Sequence, residues 1–372
     1  MKKYMIILSL FLILITMSGC KKDSTENGQE GGTTPTNVPT KTVPVVTDTP
    51  DITVAPEEKL TVQDYYPLKE DAVYIYEGSG NEYASMTVWM DFYEEKKGLL
   101  QTRTNNGGTE TVRVIERTED KVSVLTTIDE CYYRDRLFEA EFLDTAEVLL
   151  MEPLIKGTEW TLSNNRKRYI SNTEVQITTP LGTYLALEVT TESPQDVIIN
   201  YYAPGVGLVK TVFVSEDLEI TSSLKEIKED APYNQDLIIY YPKDDGMIYR
   251  KRETLYFHTN DITAIILENA VKKDAAKDTN LPLISSDTKI KSLSLGKDNK
   301  VNIDLSKEFI EDMNVGAEYE ALVLQSITNT LGNYYQVSEV IITVEGKPYE
   351  SGHFSLQEGE AFTVDMEKVI QD

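Results

Sequence analysis

The alternation of apolar and polar residues is the sequence feature that most constrains the fold of this chain. It extends from Tyr65 to about Ile227. In one run, every second position is apolar, and the members of this set are Met86, Val88, Met90 and Phe92. A period of two is typical of a half-buried β-strand. Similar short runs recur at near-regular spacing, separated by Gly, Pro and Asn. The pattern predicts one antiparallel, strongly curved sheet. The spacing within Leu137–Leu150 leaves a helix and further strands equally open.

Two kinds of turn support this prediction. Asn105–Gly108 has residues that tolerate positive φ between two apolar runs, which predicts a hairpin. Thr179–Tyr184, followed by Tyr201–Lys210, predicts a second hairpin and then a turn that only glycine can adopt. This pair of segments resembles a β-domain that recurs in secreted bacterial lipoproteins. It is similar, more loosely, to the half-barrels of lipoprotein-carrier proteins.

The pattern becomes mixed beyond Asp230–Asn234. Strands are predicted at Leu237–Tyr241, Glu253–Phe257, Ile290–Leu295, Val301–Leu305 and Val340–Val344. One helical stripe is Ile262, Ile265, Ile266 and Ala270, preceded by Asn260 and Asp261 as candidate caps. A second is Ala317, Ala321, Leu324, Ile327 and Leu331, predicted to stop at Gly332. The predicted order is β-β-α-β-β-α-β.

This second half, Leu237–Gly346, resembles the sporulation and spore germination domain called GerMN. The matching segments are Ile238–Pro242, Val301–Ser306, Ser326–Leu331 and Val340–Gly346. The chain departs from the family pattern in two loops, at Lys272–Asp274 and Leu283–Thr288. The resemblance implies a small, non-enzymatic α/β module like those that build rings in envelope machines.

The first twenty residues predict export. Lys2 and Lys3 precede an apolar core, Met5–Ile15, and small residues lead to Cys20. This is the pattern of a secretory signal, and its core is shorter than the roughly 20 residues of a membrane-spanning helix. The stretch resembles a bacterial lipoprotein signal, which implies cleavage after Gly19 and a diacylglyceryl group on Cys20. An ordinary signal peptide with an incidental cysteine is the alternative.

The expected organisation therefore has four parts. Residues 1–19 are the signal, and residues 20–60 are a Thr- and Pro-rich linker that cannot bury enough apolar surface to fold. Residues 61–230 are the β-rich domain and residues 234–372 are the GerMN-like α/β domain. The predicted fold class is α+β.

Charge and composition exclude several functions. The 36 Lys and Arg residues against 62 Asp and Glu residues give a net charge of −26, which repels nucleic acid and anionic lipid headgroups. Membrane attachment would therefore depend on the acylated Cys20. Cys131 is the other cysteine, so a disulfide within the mature chain is not expected, and a small buried side chain is its predicted role.

No catalytic, phosphate-binding or metal-ligand motif is recognisable, and no cofactor or metal is expected. Five doubled tyrosines, at 65–66, 132–133, 201–202, 240–241 and 334–335, fit either β-propensity or a surface for glycans or proteins.

Together these features predict a lipoprotein on the outer face of the bacterial cytoplasmic membrane. Its expected role is a non-enzymatic interaction module that binds envelope proteins, and the GerMN resemblance implies a role in sporulation or germination. The alternative is a carrier or sensor that holds a hydrophobic ligand or glycan on a concave face lined by Met86, Val88, Met90 and Phe92. A cell-wall hydrolase is a third hypothesis. A large apolar pocket in the β-domain would favour the carrier, and a filled core would favour the interaction module.

Overall fold

A computed structural model describes residues 59–67, 69–139, 146–272 and 283–370, all of which belong to the unit Glu58–Asp372. The predicted signal, Cys20 and nearly all of the predicted linker lie outside the described residues. A four-residue helix, α1 (Val62–Tyr65), opens the described part of the chain.

Twelve antiparallel strands form the first sheet, as the alternating pattern predicted. They are β1 (Val73–Ser79), β2 (Met86–Glu94), β3 (Leu99–Asn105), β4 (Glu110–Arg117), β5 (Lys121–Ile128), β6 (Glu147–Met151), β7 (Glu159–Thr161), β8 (Lys167–Thr178), β9 (Thr183–Glu192), β10 (Val197–Ala203), β11 (Gly207–Ser215) and β12 (Leu218–Lys228). Their order in the sheet is β6-β5-β4-β3-β2-β1-β12-β11-β10-β9-β8-β7. Both predicted hairpins are confirmed, and Gly205 and Gly207 adopt positive φ in the turn between β10 and β11.

The sheet is curved so strongly that its two edges meet. Trp160 on the edge strand β7 donates a hydrogen bond from Nε1 to the carbonyl oxygen of Val148 on the other edge strand, β6, at 3.0 Å. Arg168 on β8 reaches the same carbonyl at 2.6 Å and pairs with Glu147. A buried apolar core is enclosed by residues from both halves of the sheet, including Leu100, Ile115, Leu150, Ile170 and Leu187.

A β-bulge in β2 changes which side chains face the concave side. Met90 pairs with Thr102 on β3, whereas Phe92 pairs with Gln101, so that Asp91 is the extra residue. A bulge reverses the alternation beyond it. Met86, Val88 and Met90 therefore share the concave face, but the prediction that Phe92 joins them is wrong. Phe92 packs on the opposite face with Leu99, Val114 and Phe138.

The second half of the chain has two further sheets. A hairpin is formed by β13 (Tyr233–Pro242) and β14 (Ile248–Phe257), and the third sheet contains β15 (Ile290–Leu295), β16 (Val301–Leu305), β17 (Glu339–Val344), β18 (Lys347–Pro348) and β19 (Phe362–Thr363). The pairing of β16 with β17 is parallel. The helices are α2 (Thr263–Lys272), α3 (Glu308–Glu311) and α4 (Ala317–Tyr335). The predicted order of strands and helices is confirmed, with α3, β18 and β19 as additions.

Two details of the helices differ from the predictions. Gly332 does not end α4, which continues to Tyr335 and is capped by Gln336 in the left-handed conformation. A Cβ atom at Gly332 would lie 2.2 Å from Cγ2 of Val364, so close packing is the reason for glycine there. In α2, Leu267 faces the core, whereas Ile265 is 50% exposed and Ile262, just before the helix, is 59% exposed.

The predicted caps of α2 have other roles. The side chain of Asn260 accepts a hydrogen bond from the backbone nitrogen of Tyr93, and that of Asp261 accepts one from the backbone nitrogen of His258. Asn260 also donates its backbone N–H to the carbonyl of Asp91. It therefore satisfies backbone groups that the bulge in β2 removes from the sheet.

Arg134 joins the first sheet to the second half of the chain. Its side chain is fully buried, and its guanidinium lies between the rings of Phe92 and Phe257, at 4.1 and 4.7 Å from their centroids. It donates hydrogen bonds to the carbonyl oxygens of Asp91, at 2.6 Å, and His258, at 3.1 Å. Through these contacts, the Arg134 side chain holds β2 and the residue directly after β14 together.

A second buried arginine, Arg103 on β3, completes this joint. It pairs with Asp91 at 3.1 Å and with Glu110 at 2.9 Å, and it donates to the carbonyl oxygens of Cys131 and Tyr133. Asp91 therefore sits between two guanidinium groups, with an ion pair to each. We call Asp91, Arg103 and Arg134 the arginine joint.

Tyrosines at the end of α4 extend the contact. Tyr334 accepts a hydrogen bond from the backbone nitrogen of Arg134 and donates one to Gln235. Tyr335 donates a hydrogen bond to Asp135 at 2.8 Å. Burial raises the pKa of the Asp135 carboxyl above its ordinary value. These bonds fix α4 against the segment that follows β5.

Replacing Arg134 tests how much the joint contributes. We expect Arg134→Met to lower the free energy of unfolding by about 3–5 kcal/mol, because Asp91 and several carbonyls lose a buried partner. Arg136→Met is the matched control, since Arg136 is 53% exposed and pairs with Glu94 at the surface, where such pairs contribute about 0–1 kcal/mol. Urea unfolding measures both, and equal effects of the two substitutions would contradict the role of the joint.

Candidate functional site

A cavity of about 330 Å³ opens on the concave side of the first sheet. Its volume is at the lower end of the range of small-molecule sites, about 300–1,000 Å³. Most of its lining is apolar or aromatic, and the lining includes Tyr66, Pro67, Tyr74, Tyr76, Met86, Val88, Met90, Leu100, Ile115, Leu149, Val206 and Leu208. The cavity therefore offers surface suited to a hydrophobic molecule.

The register of four neighbouring strands explains this lining. Directly opposed residues of antiparallel strands point to the same face. One row across the sheet is Tyr74, Val88, Thr104 and Thr111, and the next is Met90, Thr102 and Arg113. The intervening row, Val73, Trp89, Arg103 and Val112, faces the other way. One face of these strands thus carries the cavity, and the other carries the arginine joint.

Tyrosine rings form one side of the cavity. Tyr76 is buried and donates a hydrogen bond from its hydroxyl to the carbonyl of Leu208 at 2.8 Å. The ring of Tyr66 is 6.5 Å from that of Tyr202, which is not part of the lining. Burial raises the pKa of Tyr74 to about 12 and also raises the pKa values of Tyr66 and Tyr76. These hydroxyls are therefore neutral at physiological pH, which keeps this side of the cavity uncharged.

One charged side chain lines the cavity. Arg113, on β4, is exposed. Within the described ranges it forms no hydrogen bond or ion pair, unlike the buried Arg103 and Arg134. Burial raises the pKa of Tyr66, and the positive charge of Arg113 acts in the opposite direction. The guanidinium is thus close enough to influence the ionisation of Tyr66 in the cavity lining.

Two other depressions are less suited to a ligand. A cavity of about 160 Å³ in the second half of the chain is lined by Leu283, Phe309, Met313 and Tyr319 among others. A depression near α1 has a volume of about 370 Å³. Its apolar residues Leu60, Ile155 and Leu185 are 43–58% exposed, so it is an open surface and not an enclosed site.

A cysteine nucleophile would need a histidine as its base, and the described residues show no hydrogen bond between Cys131 and either histidine. Cys131 is buried, as predicted, and burial raises the pKa of its thiol, which disfavours the nucleophilic thiolate. His258 lies 3.3 Å from Asp71 and His353 lies 2.5 Å from Glu320. Neither histidine contacts Cys131 in the part of the chain that the structure describes. Cys20, the predicted lipidation site, lies outside the described residues.

Among the described residues, no group of three or more His, Cys, Asp or Glu side chains is arranged to hold a metal ion. In the same ranges, no helix has the length and apolar character needed to cross a membrane.

The doubled tyrosines are mostly structural. Both members of the pairs 201–202 and 334–335 are buried, and Tyr65 and Tyr240 are buried in theirs. Tyr334 and Tyr335 hold the two halves of the chain together, as described above. The site residues that the sequence did not reveal are Thr102, Arg113 and the tyrosines around the cavity. Their positions on the alternating strands were readable, but no motif distinguished them.

Comparisons with known proteins identify the second half of the chain. Residues 238–350 match the family Germane, described as sporulation and spore germination. A search of curated protein sequences finds no significant match.

Three solved structures are similar in part. The tandem GerMN domains of the sporulation protein GerM from Bacillus subtilis are 18% identical, with a TM-score of 0.28, over 34% of this chain and 45% of that one. A Clostridium perfringens protein, described provisionally as a lipoprotein, is 22% identical, with a TM-score of 0.24, over 36% of this chain and 87% of that one. A Bacteroides fragilis protein with a YmcC-like fold is 14% identical, with a TM-score of 0.28, over 44% of this chain and 98% of that one.

This chain therefore spans less than half of the tandem GerM structure. Because their TM-scores are below 0.5, none of these three structural likenesses supports a conclusion about function. The family match spans the elements from β13 to β18. Residues 238–350 of the chain match the Germane family and form a GerMN-like domain.

Proposed function

We propose that this protein is an extracytoplasmic lipoprotein that carries or senses a hydrophobic molecule in the concave cavity of its first sheet. The cavity of about 330 Å³ is the observation that supports this role. A scaffold that used the sheet only for support would be expected to fill this face with side chains, as side chains fill the neighbouring core around Leu150 and Leu187.

The proposed location depends on the first twenty residues. Acylation of Cys20 would anchor the chain to the outer face of the cytoplasmic membrane, and two acyl chains hold a protein far more firmly than one. The linker of roughly 40 residues would then set the distance between the bilayer and the folded unit. The cavity would thus work close to a source of hydrophobic molecules.

The role proposed for the GerMN-like domain follows from the arginine joint. Because Arg134 contacts both β2 and the loop after β14, the two parts would move together and not as independent modules. A change at the cavity would therefore be transmitted to the GerMN-like domain. The family that this domain matches is described as sporulation and spore germination. We propose a non-enzymatic function in such an envelope process.

Blocking the cavity tests the binding role. Val88→Trp places a large ring in the centre of the cavity, so we expect it to abolish binding of cis-parinaric acid, a fluorescent fatty acid. The chain used is residues 21–372, which lacks only the predicted signal and Cys20 and retains the unit Glu58–Asp372 with its cores. Binding is measured by fluorescence titration, and far-ultraviolet circular dichroism reports whether the variant folds.

Leu218→Trp is the matched control, because Leu218 is 45% exposed at the start of β12 and does not line the cavity. It should bind the probe as the unmodified chain does. Thr102→Trp, in the next row of the cavity, is a second blocking variant in case Val88→Trp does not fold. Retained binding by a folded blocking variant would rule out this cavity as the binding site.

A second candidate function is the interaction module expected from the sequence. Ile262 and Ile265, at 59% and 50% exposed, place two large apolar side chains at the start of α2. Neighbouring exposed apolar residues are typical of protein interaction sites. The GerMN-like domain would then use this surface to bind an envelope protein.

The double substitution Ile262→Ser and Ile265→Ser tests this second candidate. Because both side chains are exposed, we expect little change in stability but loss of any discrete partner recovered from solubilised envelopes by the tagged chain. Leu218→Ser serves as the control for removing an exposed apolar residue elsewhere. Recovery of the same partner by all three proteins would show that α2 is not the binding surface.

A further inference from the structure

The cavity has one feature that a site for a purely apolar molecule does not need. Arg113 lines it with a full positive charge, and no partner from the described residues neutralises that charge. Among the described residues, ion pairs with acidic side chains are formed by Arg103, Arg134, Arg136, Arg166, Arg168 and Arg252. Arg113, Arg117 and Arg250 form none within the same ranges, and of these three Arg113 lines the cavity.

The position of Arg113 is also specific. Thr102 lies directly opposite Arg113, and Met90 lies directly opposite Thr102 on the next strand. The row therefore changes from an apolar side chain to a hydroxyl and then to a cation. Thr102 and Arg113 both offer hydrogen-bond donors, and Arg113 can bind a carboxylate or a phosphate through two parallel bonds.

From this arrangement we propose that the cavity binds an anionic amphiphile, whose hydrocarbon part lies against Met86, Val88 and Met90 and whose acidic headgroup pairs with Arg113. This inference depends on the proposed binding function and specifies its ligand class. A carboxylate of a free fatty acid and a phosphate of a phospholipid share the chemistry that Arg113 recognises.

The test compares two probes with the same hydrocarbon chain, cis-parinaric acid and its methyl ester, whose headgroup is neutral. We expect Arg113→Gln, in the chain of residues 21–372, to weaken binding of the acid by about tenfold or more, the effect of losing a charge-assisted hydrogen bond. Binding of the ester should change by less than about twofold, since it makes no ion pair. Arg252→Gln is the matched control, because Arg252 pairs with Asp236 on the exposed hairpin of the second half.

The outcomes separate this inference from the proposed function. Equal weakening of acid and ester, or no weakening of the acid, would overturn the role of Arg113 while leaving the binding function intact. Failure of the unmodified chain to bind either probe would overturn both. Competition identifies the source of the ligand: displacement by oleate indicates a free carboxylate, and displacement by phosphatidylglycerol indicates a phosphate. Equal displacement by neutral diacylglycerol would contradict selectivity for an anion.

Discussion

The ion pairs of Asp91 with Arg103 and Arg134 are the interaction on which the rest of this structure depends. Burying charges is costly unless each is paired and hydrogen-bonded. Here the cost is offset because the two guanidinium groups also bind carbonyl oxygens from β2, from the segment after β5 and from the loop after β14. The joint can form only when both halves of the chain are folded and in contact.

The joint also explains the position of the cavity. Asp91 and Arg103 lie on one face of β2 and β3, where Arg134 packs against them, and alternation places Met86, Val88, Thr102 and Thr104 on the other. The face with the joint is covered by the second half of the chain, so the concave face is left to enclose the cavity. The bulge at Asp91 links the two features, because it turns Phe92 toward Arg134 and leaves Met90 beside Thr102.

The sequence predicted regular structure well where the physical signal is local. Alternation predicted the positions of the strands, glycine and asparagine predicted the hairpin turns, and periodicity with the family resemblance predicted the order of β13 to β18. Predictions from local sequence were wrong where contacts with distant residues determine the structure. Ile262 and Ile265 have helical spacing, yet α2 buries Leu267 instead, and Gly332 lies within α4 because Val364 packs against it. The Asp91 bulge depends on Asn260, far along the chain, so periodicity could not reveal it.

The candidate site was predicted in part for the same reason. Met86, Val88 and Met90 were identified as a concave face from their alternation, and they line the cavity. Phe92 was assigned to the same face because a single extra residue in a strand leaves no mark in composition. Arg113 resembles any exposed arginine in the sequence. It becomes a candidate binding residue only when the register sets it beside Thr102 and Met90.

A direct measurement of where a ligand binds uses the methionines as reporters. Residues 21–372 contain Met86, Met90, Met151, Met247, Met313 and Met366, and selective methyl labelling gives each a resolved nuclear magnetic resonance signal. If the concave cavity binds an amphiphile, addition of oleate will shift the signals of Met86 and Met90 and leave the other four unchanged. Unchanged signals of Met86 and Met90, or a shift at Met313 in the second cavity, would contradict the proposed site.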